Sequence, residues 1–505
     1  MDGQAVILGE VLARQAGERP GGEALVTRAS RFSYAQIFER AQSAAGAMHA
    51  LGLRKGDHVA ILMGNDEHWL SLFYGAALLG AVTVPVNTRF KRNEIDFCLR
   101  KSDCKALFYA GRFLGIDFEA MLEDIKPPIA IDVSMRTLQG EFRGADVSPE
   151  DPLLIQFTSG TTAYPKGALL THENMLRDAL EAGRRIGVRR EDRYFNCRPF
   201  FHAAGSTLSA LMALVHGCTL VTLPTFDAGG ALELMEREGC TLLSGNDTLF
   251  QMLMGHADFP RRRLCLRGGW SAAGPQTMRR IIDVLGAREI CAAYGLSEAS
   301  PNVVMSDWRD PEALRVEGLA APLPGVDLRI SEEGEIQVRG WNVMRGYYND
   351  PEQTAKAFTA DGWLRTGDLG ELTPEGRLRM VGRLKDVFRV GGENVAPAEV
   401  EEVLLAHPAV QTAQVIGVPD ERLGEVPCAY VTLKANASAA EKELVEWCKA
   451  RCASFKVPRY LRIVEDFEAI GMTASGKVQK ARLREHALKE LALPGGGAAG
   501  SAGAT

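Results

Sequence analysis

An apolar run, Leu153–Phe157, passes directly into the stretch Thr158-Ser159-Gly160-Thr161-Thr162-Ala163-Tyr164-Pro165-Lys166-Gly167. Its hydroxyls and backbone N–H groups can surround a polyphosphate, the glycines allow a close approach, and Lys166 adds a mobile positive charge. It is not a Walker loop, because that motif places its lysine directly before Ser or Thr, whereas Lys166 precedes Gly167. The sequence therefore predicts a strand followed by a phosphate-binding loop, although any short part of it is equally typical of a plain turn.

Short apolar runs recur on both sides of this loop, with segments of helical length and spacing between them. The predicted strands are His58–Met63, Ala81–Val86, Ala106–Ala110, Leu153–Phe157, Thr219–Leu223, Leu242–Ser244, Leu264–Leu266 and Ile290–Ala293. The predicted helices between them include Ser206–Val215, Gly230–Glu238 and Gln276–Leu285. This alternation predicts an α/β fold of largely parallel sheets covered by helices, with ligands at the carboxyl ends of the strands.

The pattern changes twice toward the C-terminus. After about Pro324, short turn-rich stretches predict a small β subdomain. From about Lys385 an α+β unit follows, with helices Pro397–Ala406 and Ala439–Arg451. We therefore predict an N-terminal domain over residues 1–384, a smaller mobile lid domain over 385–492, and a disordered tail of mainly Gly, Ala and Ser over 493–505.

Bulk properties exclude several classes of protein. A chain of 505 residues exceeds what one hydrophobic core usually supports, and a net charge of -6 gives no overall attraction to nucleic acid or anionic lipid. The uncharged stretch Trp69–Val86 approaches the length of a membrane span, but its glycines and Pro85 favour a buried helix that runs into a strand. Scattered cysteines and the start of the chain indicate a cytoplasmic protein. The sequence leaves the oligomeric state open, a homodimer included.

A second group of candidate residues, Tyr294-Gly295-Leu296-Ser297-Glu298, follows the predicted strand Ile290–Ala293. At the carboxyl end of a strand, the aromatic ring can stack on a base and the carboxylate can hold a magnesium ion beside phosphates. Taken alone, the same residues fit a Tyr-Gly turn with an exposed glutamate.

Two further stretches place charged groups beside glycines. In Trp363-Leu364-Arg365-Thr366-Gly367-Asp368, the aspartate at a turn can accept hydrogen bonds from two vicinal hydroxyls, as in ribose, and Arg383 can reinforce that contact. In Thr473-Ala474-Ser475-Gly476-Lys477, a lysine on a glycine-flanked loop can reach into a cleft and offset the negative charge of a phosphate under attack. Surface hairpins and a solvated turn are the alternatives.

Together and in this order, these stretches resemble the adenylate-forming superfamily, which contains acyl-CoA synthetases, peptide-synthetase adenylation domains and beetle luciferases. The resemblance covers nearly the whole chain, from Phe32-Ser33-Tyr34 through Gly346-Tyr347-Tyr348 to the loop of Lys477. It implies an ATP-dependent carboxylic acid:CoA ligase that forms an acyl-adenylate, releases pyrophosphate and then makes an acyl-CoA thioester. ATP, Mg²⁺ and coenzyme A are the implied cofactors and co-substrates, and fatty-acid or aromatic-acid metabolism is the implied setting.

The resemblance also implies residue roles for the nucleotide. The implied ATP-binding residues are Thr158, Ser159, Gly160, Thr161, Thr162, Lys166, Ala273, Gly274, Tyr294, Gly295, Ser297, Asp368 and Arg383. Thr158–Lys166 would hold the β- and γ-phosphates, and Asp368 with Arg383 would hold the ribose. Tyr294 and Ala273-Gly274 would flank the adenine.

The remaining implied roles concern chemistry, the acid and the thiol. Lys477, Glu298 and His202 would be catalytic, and Glu298 would coordinate magnesium. Arg198-Pro199-Phe200-Phe201-His202 resembles the aromatic-histidine motif of the acyl pocket, which gives Phe201, His202 and Trp270 as its lining. Lys385 would be the hinge, and Gly391, Gly392 and Glu393 would line the path of coenzyme A. If Trp270 shortens the acyl pocket, the acid is a compact medium-chain, alicyclic or aromatic one.

Alternatives and departures accompany this prediction. One alternative is that the acyl group passes to the thiol of a carrier protein and not to coenzyme A. Another is a degenerate protein that binds nucleotide without catalysis. Gly269-Trp270-Ser271-Ala272-Ala273 approaches a serine-hydrolase elbow but lacks its second glycine. Gly495-x-Gly497-x-x-Gly500 imitates a dinucleotide motif without a preceding strand. Ala163 replaces a glycine that the superfamily usually has in the phosphate loop, and Gly471-Met472 replaces a common proline before the lysine loop.

Overall fold

The computed structural model describes residues 6–133, 138–142, 144–158, 165–472 and 478–494. In chain order, its strands are β1 Glu23–Val26, β2 Arg31–Ser33, β3 His58–Leu62, β4 Val82–Pro85, β5 Cys104–Tyr109, β6 Arg112–Phe113, β7 Ile116–Asp117, β8 Ile129–Asp132, β9 Pro152–Thr158, β10 Lys166–Thr171, β11 Arg193–Asn196, β12 Thr219–Thr222, β13 Leu242–Leu243, β14 Gly245–Asn246, β15 Gly268–Ala272, β16 Glu289–Gly295, β17 Asn302–Met305, β18 Ala321–Pro322, β19 Val326–Ile330, β20 Glu335–Gly340, β21 Leu364–Leu372, β22 Leu378–Arg383, β23 Phe388–Val390, β24 Glu393–Val395, β25 Val410–Asp420, β26 Gly424–Leu433 and β27 Tyr460–Ile463.

The α-helices are α1 Leu8–Glu18, α2 Tyr34–Ala50, α3 Glu67–Leu79, α4 Arg92–Lys101, α5 Phe118–Leu122, α6 His172–Arg185, α7 Ala203–Gly205, α8 Met212–His216, α9 Ala228–Glu238, α10 Asp247–Gly255, α11 Pro275–Asp283, α12 Glu312–Val316, α13 Pro351–Ala357, α14 Pro397–Leu405, α15 Glu441–Lys449, α16 Glu468–Gly471 and α17 Lys480–Glu490. A π-helix covers Ser206–Leu211, and 3₁₀ turns cover Phe259–Arg261, Ser297–Ala299 and Ser454–Lys456.

Side-chain caps fix the beginnings of several helices. Ser33 caps α2 through a reciprocal capping box, in which its hydroxyl accepts from the Gln36 backbone nitrogen at 3.3 Å and its own nitrogen donates to Gln36 Oε1 at 2.8 Å. Asp66 caps α3 by accepting from the backbone nitrogen of Trp69 at 2.9 Å. The polar residues before these apolar runs therefore act as start signals for the helices.

Two large sheets form the N-terminal part of the fold. One has the strand order β18-β17-β16-β15-β13-β11-β12-β1-β2, and the other has the order β10-β9-β4-β3-β5-β8. Their interiors are parallel, whereas β2, β10, β17 and β18 pair antiparallel at the edges. The prediction of parallel-rich sheets covered by helices is confirmed. The carboxyl ends of β9 and β16 carry Thr158 and Tyr294, two of the predicted site residues.

A four-stranded antiparallel sheet follows, with the order β19-β20-β21-β22. It corresponds to the predicted small β subdomain, and its register places Asp368 on β21 opposite Arg383 on β22. The next sheet begins at Phe388, so the predicted boundary at 384/385 lies in the connection between β22 and β23.

The C-terminal unit contains the order β24-β23-β26-β25, with β27 pairing parallel to β26. It touches helix α10 of the N-terminal part, where Thr412 Oγ1 donates to Gln251 Oε1 at 2.7 Å and Gln411 Nε2 donates to the Gln251 carbonyl at 2.8 Å. The division into domains and the mobility of this unit stay predictions. Most of the predicted tail, residues 495–505, lies outside the described residues.

Two segments show where local pattern succeeded and failed. Trp69–Val86 forms most of helix α3 and all of strand β4, as predicted. No described helix is long and apolar enough to cross a membrane. Leu264–Leu266, in contrast, is not a strand, and the strand lies at Gly268–Ala272. Gly269 has φ +136° there, and a Cβ at this position would overlap the carbonyl oxygen of Leu243. The strand therefore lies where glycine allows close pairing, and the apolar run beside it only packs against the core.

Candidate active site

Thr158 and Lys166 stand at the base of the predicted phosphate loop. Thr158 ends β9, Lys166 begins β10, and the two residues pair across this antiparallel ladder. The loop residues Ser159, Gly160, Thr161 and Thr162 lie outside the described residues, as does Ala163. The two described ends therefore fix where the loop leaves and rejoins the sheet.

Glu298 lies beside this loop base. It belongs to the 3₁₀ turn after β16, and its Oε1 is 3.4 Å from the hydroxyl of Thr158. The Tyr347 hydroxyl donates to the same oxygen at 2.8 Å, and Lys166 Nζ lies 5.2 Å from the centroid of the Tyr347 ring. A carboxylate, two hydroxyls and an ammonium group thus converge. This oxygen-rich set fits Mg²⁺, which is usually held by one or two carboxylates together with substrate phosphates.

Tyr347 was not among the predicted site residues. The Gly346-Tyr347-Tyr348 motif was noticed only as part of the resemblance, and nothing in its spacing indicates a partner at Glu298. Burial, and then the Glu298 carboxylate, raise the pKa of the Tyr347 phenol. The phenol therefore remains a hydrogen-bond donor and holds the carboxylate in one orientation.

Asp368, a predicted ribose residue, contacts both Tyr294 and Arg383. It is 4% exposed, its Oδ2 accepts a hydrogen bond from the Tyr294 hydroxyl at 2.9 Å, and its Oδ1 lies 3.3 Å from Arg383 Nε. The structure therefore brings Tyr294, which was predicted for the adenine, against the Asp368–Arg383 pair that was predicted for the ribose. Burial, and then the Asp368 carboxylate, raise the pKa of Tyr294.

The turn after Tyr294 is tightly packed. A Cβ at Gly295 would overlap the carbonyl oxygen of Pro301, so glycine is required where the chain folds back onto β17. Ser297 opens the 3₁₀ turn that carries Glu298. This short connection places Tyr294 and Glu298 on the same edge of the sheet.

Ala273 and Gly274, the predicted adenine flank, lie between β15 and helix α11. Gly274 precedes the first turn of α11, and Glu402 of the C-terminal unit packs so close that a Cβ at Gly274 would overlap its carboxylate. Glu402 Oε2 lies 3.4 Å from the backbone nitrogen of Gln276. Burial, and then the nearby Asp247 carboxylate, raise the pKa of Glu402 to about 7. Glu402 is a second residue that the sequence did not single out.

A cavity of about 340 Å³ lies next to the predicted acyl motif. Its wall includes Phe201 from the motif, Leu249 and Met252 from α10, and Glu468 and Met472 from the C-terminal unit. Met472 directly precedes the segment that contains Lys477, which lies outside the described residues. The start of the predicted lysine loop therefore reaches the cavity.

Phe201 lies on the wall of this cavity, but His202 and Trp270, the other two predicted acyl-pocket residues, are not among the described residues that line it. His202 Nδ1 accepts from the backbone nitrogen of Ala204 at 3.1 Å, which makes it the cap of helix α7 and leaves Nε2 to carry the proton of a neutral ring. Trp270 is 4% exposed in β15 and does not lie on the surface. Its ring lies 5.5 Å from the guanidinium carbon of Arg198, which is on the cavity wall. The acyl-pocket roles of both residues and the catalytic role of His202 stay predictions.

The predicted coenzyme A residues lie in the C-terminal unit. Gly391 and Gly392 form the turn between β23 and β24, with φ +58° and +99°, and Glu393 begins β24. Lys385, the predicted hinge, lies in the connection between β22 and β23 and is exposed. Their roles stay predictions.

The described residues argue against the serine-hydrolase alternative. Ser271 lies within β15 and is fully buried, so it is not presented on a sharp exposed turn as a hydrolase nucleophile must be. The described part of the chain contains no cluster of three or more His, Cys, Asp or Glu side chains suited to a structural metal. All ten cysteines are free thiols. The glycine motif of the tail, residues 495–500, lies outside the described range.

Comparisons with known proteins give the family of the chain. The family described as AMP-binding enzyme matches residues 12–348, and the AMP-binding enzyme C-terminal domain matches residues 399–477. A propanoyl:CoA ligase of Rhodococcus jostii, named for a methylated dioxo-octahydroindene skeleton, is 37% identical over 90% of this chain and 94% of its own. A mitochondrial medium-chain acyl-CoA ligase of Mus musculus is 32% identical over 96% of this chain and 88% of its own.

Solved structures point the same way. An anthranilate CoA ligase in complex with anthranoyl-AMP superposes with a TM-score of 0.88 at 25% identity, covering 97% of this chain and 98% of its own. The fold and these comparisons thus define an adenylate-forming enzyme. The chain belongs to the AMP-binding enzyme family, and the predicted class, an AMP-forming acid–thiol ligase that uses ATP and CoA, is confirmed.

Proposed function

We propose that this protein uses ATP and Mg²⁺ to activate a compact carboxylic acid and then transfers the acyl group to free coenzyme A. The observation that carries the proposal is that one strand end, β16 with its following turn, presents both Tyr294 and Glu298. Tyr294 contacts Asp368, and Glu298 contacts Thr158. These two contacts support a ribose site and a phosphate–metal site side by side, as one nucleotide requires.

In the first step, a substrate carboxylate oxygen attacks the α-phosphorus of ATP, the bond to the bridging oxygen breaks, and pyrophosphate leaves. Lys166 and Lys477 offset the charge that accumulates on the phosphates. Asp368 and Arg383 hold the ribose so that the attacking and leaving oxygens can align. A magnesium ion held by Glu298 would supply charge neutralisation on the phosphates when bound.

In the second step, the thiolate of coenzyme A attacks the acyl carbonyl carbon, and AMP leaves as the carbon–oxygen bond to phosphate breaks. We assign the approach of the thiol to the turn of Gly391 and Gly392, after a rotation of residues 385–492 about Lys385. This movement would also withdraw Lys477. Support comes from Met472, a residue of the C-terminal unit at the start of the lysine loop, because it lies on the cavity wall.

The proposed substrate class is based on the volume of the cavity next to Phe201. A cavity of about 340 Å³ and the buried indole of Trp270 favour a medium-chain, alicyclic or aromatic acid over a long straight chain. Relatives named for an alicyclic propanoate, for medium-chain acids and for anthranilate support the same range. Free thiols at all ten cysteines support a reducing compartment such as the cytoplasm. A homodimer stays a prediction.

The test is acid-dependent pyrophosphate release from ATP and Mg²⁺, measured across a panel of acids with and without coenzyme A. Release that depends on one acid class, with coenzyme A consumed in equal amount, is the expected result. Release without thiol consumption, restored by a carrier protein, would favour the carrier-loading alternative. Nucleotide binding by folded protein without release from any acid would favour the non-catalytic alternative.

A further inference from the structure

Arg198 is a buried cation that has no counter-ion among the described residues. The residue is 7% exposed, and burial lowers its pKa. Its guanidinium forms no hydrogen bond or ion pair with any described residue, and Nε is fully buried without a partner. A buried arginine is normally paired, because an uncompensated charge in a protein interior is costly. Its pairing groups therefore remain available to a ligand.

Hydrogen bonds from two asparagines fix the backbone of Arg198. The Arg198 carbonyl accepts from Asn65 Nδ2 and from Asn196 Nδ2, both at 2.8 Å, and its nitrogen donates to Asn196 Oδ1 at 3.1 Å. Asn65 Oδ1 also accepts from the backbone nitrogen of Phe200 at 2.7 Å. Both asparagines are occupied by backbone groups and do not neutralise the guanidinium.

The guanidinium faces two elements of the acyl region. Its central carbon lies 5.5 Å from the ring centroid of Trp270, and Arg198 is on the wall of the cavity of about 340 Å³. The cation–π contact compensates the charge only in part, because an indole face accepts no hydrogen bond in the guanidinium plane. Glu468 is the carboxylate on the described wall, and it forms no ion pair with Arg198. The guanidinium of Arg198 therefore suits an acceptor oxygen that belongs to a ligand.

We propose that Arg198 is a specificity-determining residue that hydrogen-bonds an acceptor oxygen, a carboxylate or a ketone, carried by the acyl skeleton away from the carboxyl group that is activated. The inference rests on the ligase function, and it narrows the substrate class from compact acids to compact oxygen-bearing acids. An unsubstituted acid of the same length would leave the guanidinium unpaired on binding, and a site built around a polar group rejects analogues that lack it.

The experiment compares matched acids on the wild-type enzyme and on Arg198→Met and Arg198→Lys. One series is hexanoate, adipate and a keto-hexanoate, and another is cyclohexanecarboxylate with its carboxylated and keto counterparts. Acid-dependent pyrophosphate release gives kcat/KM for each acid at saturating ATP and coenzyme A. We expect the wild type to prefer an oxygen-bearing member at least about tenfold over its plain partner, and Arg198→Met to lose most of that ratio. Arg198→Lys should retain part of it, because lysine keeps the charge without the planar fork.

Three other results would contradict either the role of Arg198 or the ligase function on which it rests. A wild type that prefers the plain acids overturns the role of Arg198, and this outcome needs no variant to fold. A selectivity ratio unchanged in Arg198→Met, with a raised KM for coenzyme A, assigns the guanidinium to the thiol and also overturns it. In both cases the enzyme still turns over plain acids, so the ligase function is not contradicted. Pyrophosphate release from no acid, plain or oxygen-bearing, would instead contradict the ligase function itself.

Discussion

The hydroxyl of Tyr294 donates a 2.9 Å hydrogen bond to Asp368 Oδ2, which ties the end of β16 to strand β21. Because burial and the Asp368 carboxylate raise the pKa of Tyr294, the phenol keeps its proton at neutral pH. The contact therefore fixes the orientation of the carboxylate that we propose binds the ribose hydroxyls, before any nucleotide binds.

Replacing Tyr294 with Phe should weaken ATP binding. The variant leaves one Asp368 oxygen without this donor, and the loss of one hydrogen bond to a charged group, about 1–2 kcal/mol, corresponds to a roughly 5- to 30-fold higher KM for ATP. Steady-state kinetics with ATP as the varied substrate measure this. Tyr430→Phe is the matched control, since Tyr430 donates to the Glu490 carboxylate at 2.6 Å in the C-terminal unit. Equal effects of both variants would contradict a role in the nucleotide site.

Glu298→Gln should raise the magnesium requirement. The neutral amide removes the charge that the proposed Mg²⁺ site depends on, so half-maximal pyrophosphate release should need at least about tenfold more Mg²⁺. Tyr347→Phe, which removes only the hydrogen bond to Glu298, should shift the same curve less. Glu312→Gln, on an exposed salt bridge with Arg279, is the control. An unchanged magnesium titration in Glu298→Gln would exclude this residue as the ligand.

Lys477→Ala should separate the two half-reactions. Loss of a positive charge that stabilises the phosphates should slow adenylate formation about 10²- to 10³-fold. Thioester formation from a supplied acyl-adenylate should stay near the wild-type rate, because the proposed rotation withdraws this loop. Lys489→Ala, in α17, serves as the control. Equal loss in both half-reactions would contradict domain alternation.

The contact of Glu402 with helix α11 should make docking of the C-terminal unit depend on pH. Burial, with the nearby Asp247 carboxylate, raises the pKa of docked Glu402 from 4.5 to about 7, so docking takes up a proton. The contribution of this contact is fully present below the undocked pKa and is lost as the pH rises through the docked pKa. Docking should therefore weaken between about pH 5 and about pH 8.

Distances between spin labels on the two units, measured across this pH range, would show the effect. Glu402→Gln should flatten the profile, because the amide does not titrate. Glu399→Gln, on the same helix and paired with Lys456, should leave the profile as in the wild type. If all three proteins respond alike, another group controls docking.

Trp270→Leu should move the acid preference toward longer chains. Shortening this buried indole opens space beside the cavity, at a stability cost of about 2–4 kcal/mol. The chain length with the highest kcat/KM in a series of straight-chain acids is the measurement. Trp447→Leu, in the C-terminal unit, controls for the loss of a tryptophan. An unchanged optimum would mean that Trp270 does not limit the pocket.

Local pattern was sufficient for much of the fold. The uncharged stretch Trp69–Val86 and the capping signals at Ser33 and Asp66 specify helices and strands through short-range physics, namely backbone caps and burial of apolar faces. The run Leu264–Leu266 failed because strand position there depends on Gly269, whose missing side chain allows close pairing with Leu243. Hydrophobicity does not reveal such a contact.

The family could be predicted from sequence alone, and so could the candidate groups Thr158, Lys166, Glu298 and Asp368, because each stands in a short ordered motif. Three features became visible only in three dimensions: Tyr347 holds Glu298, Glu402 packs on α11, and Arg198 is buried with no counter-ion among the described residues. Tyr347 and Glu298 are 49 residues apart, and Glu402 and Gln276 are 126 apart. The physical reason is that charge pairing and burial depend on which distant segments meet, and local sequence carries no record of those partners.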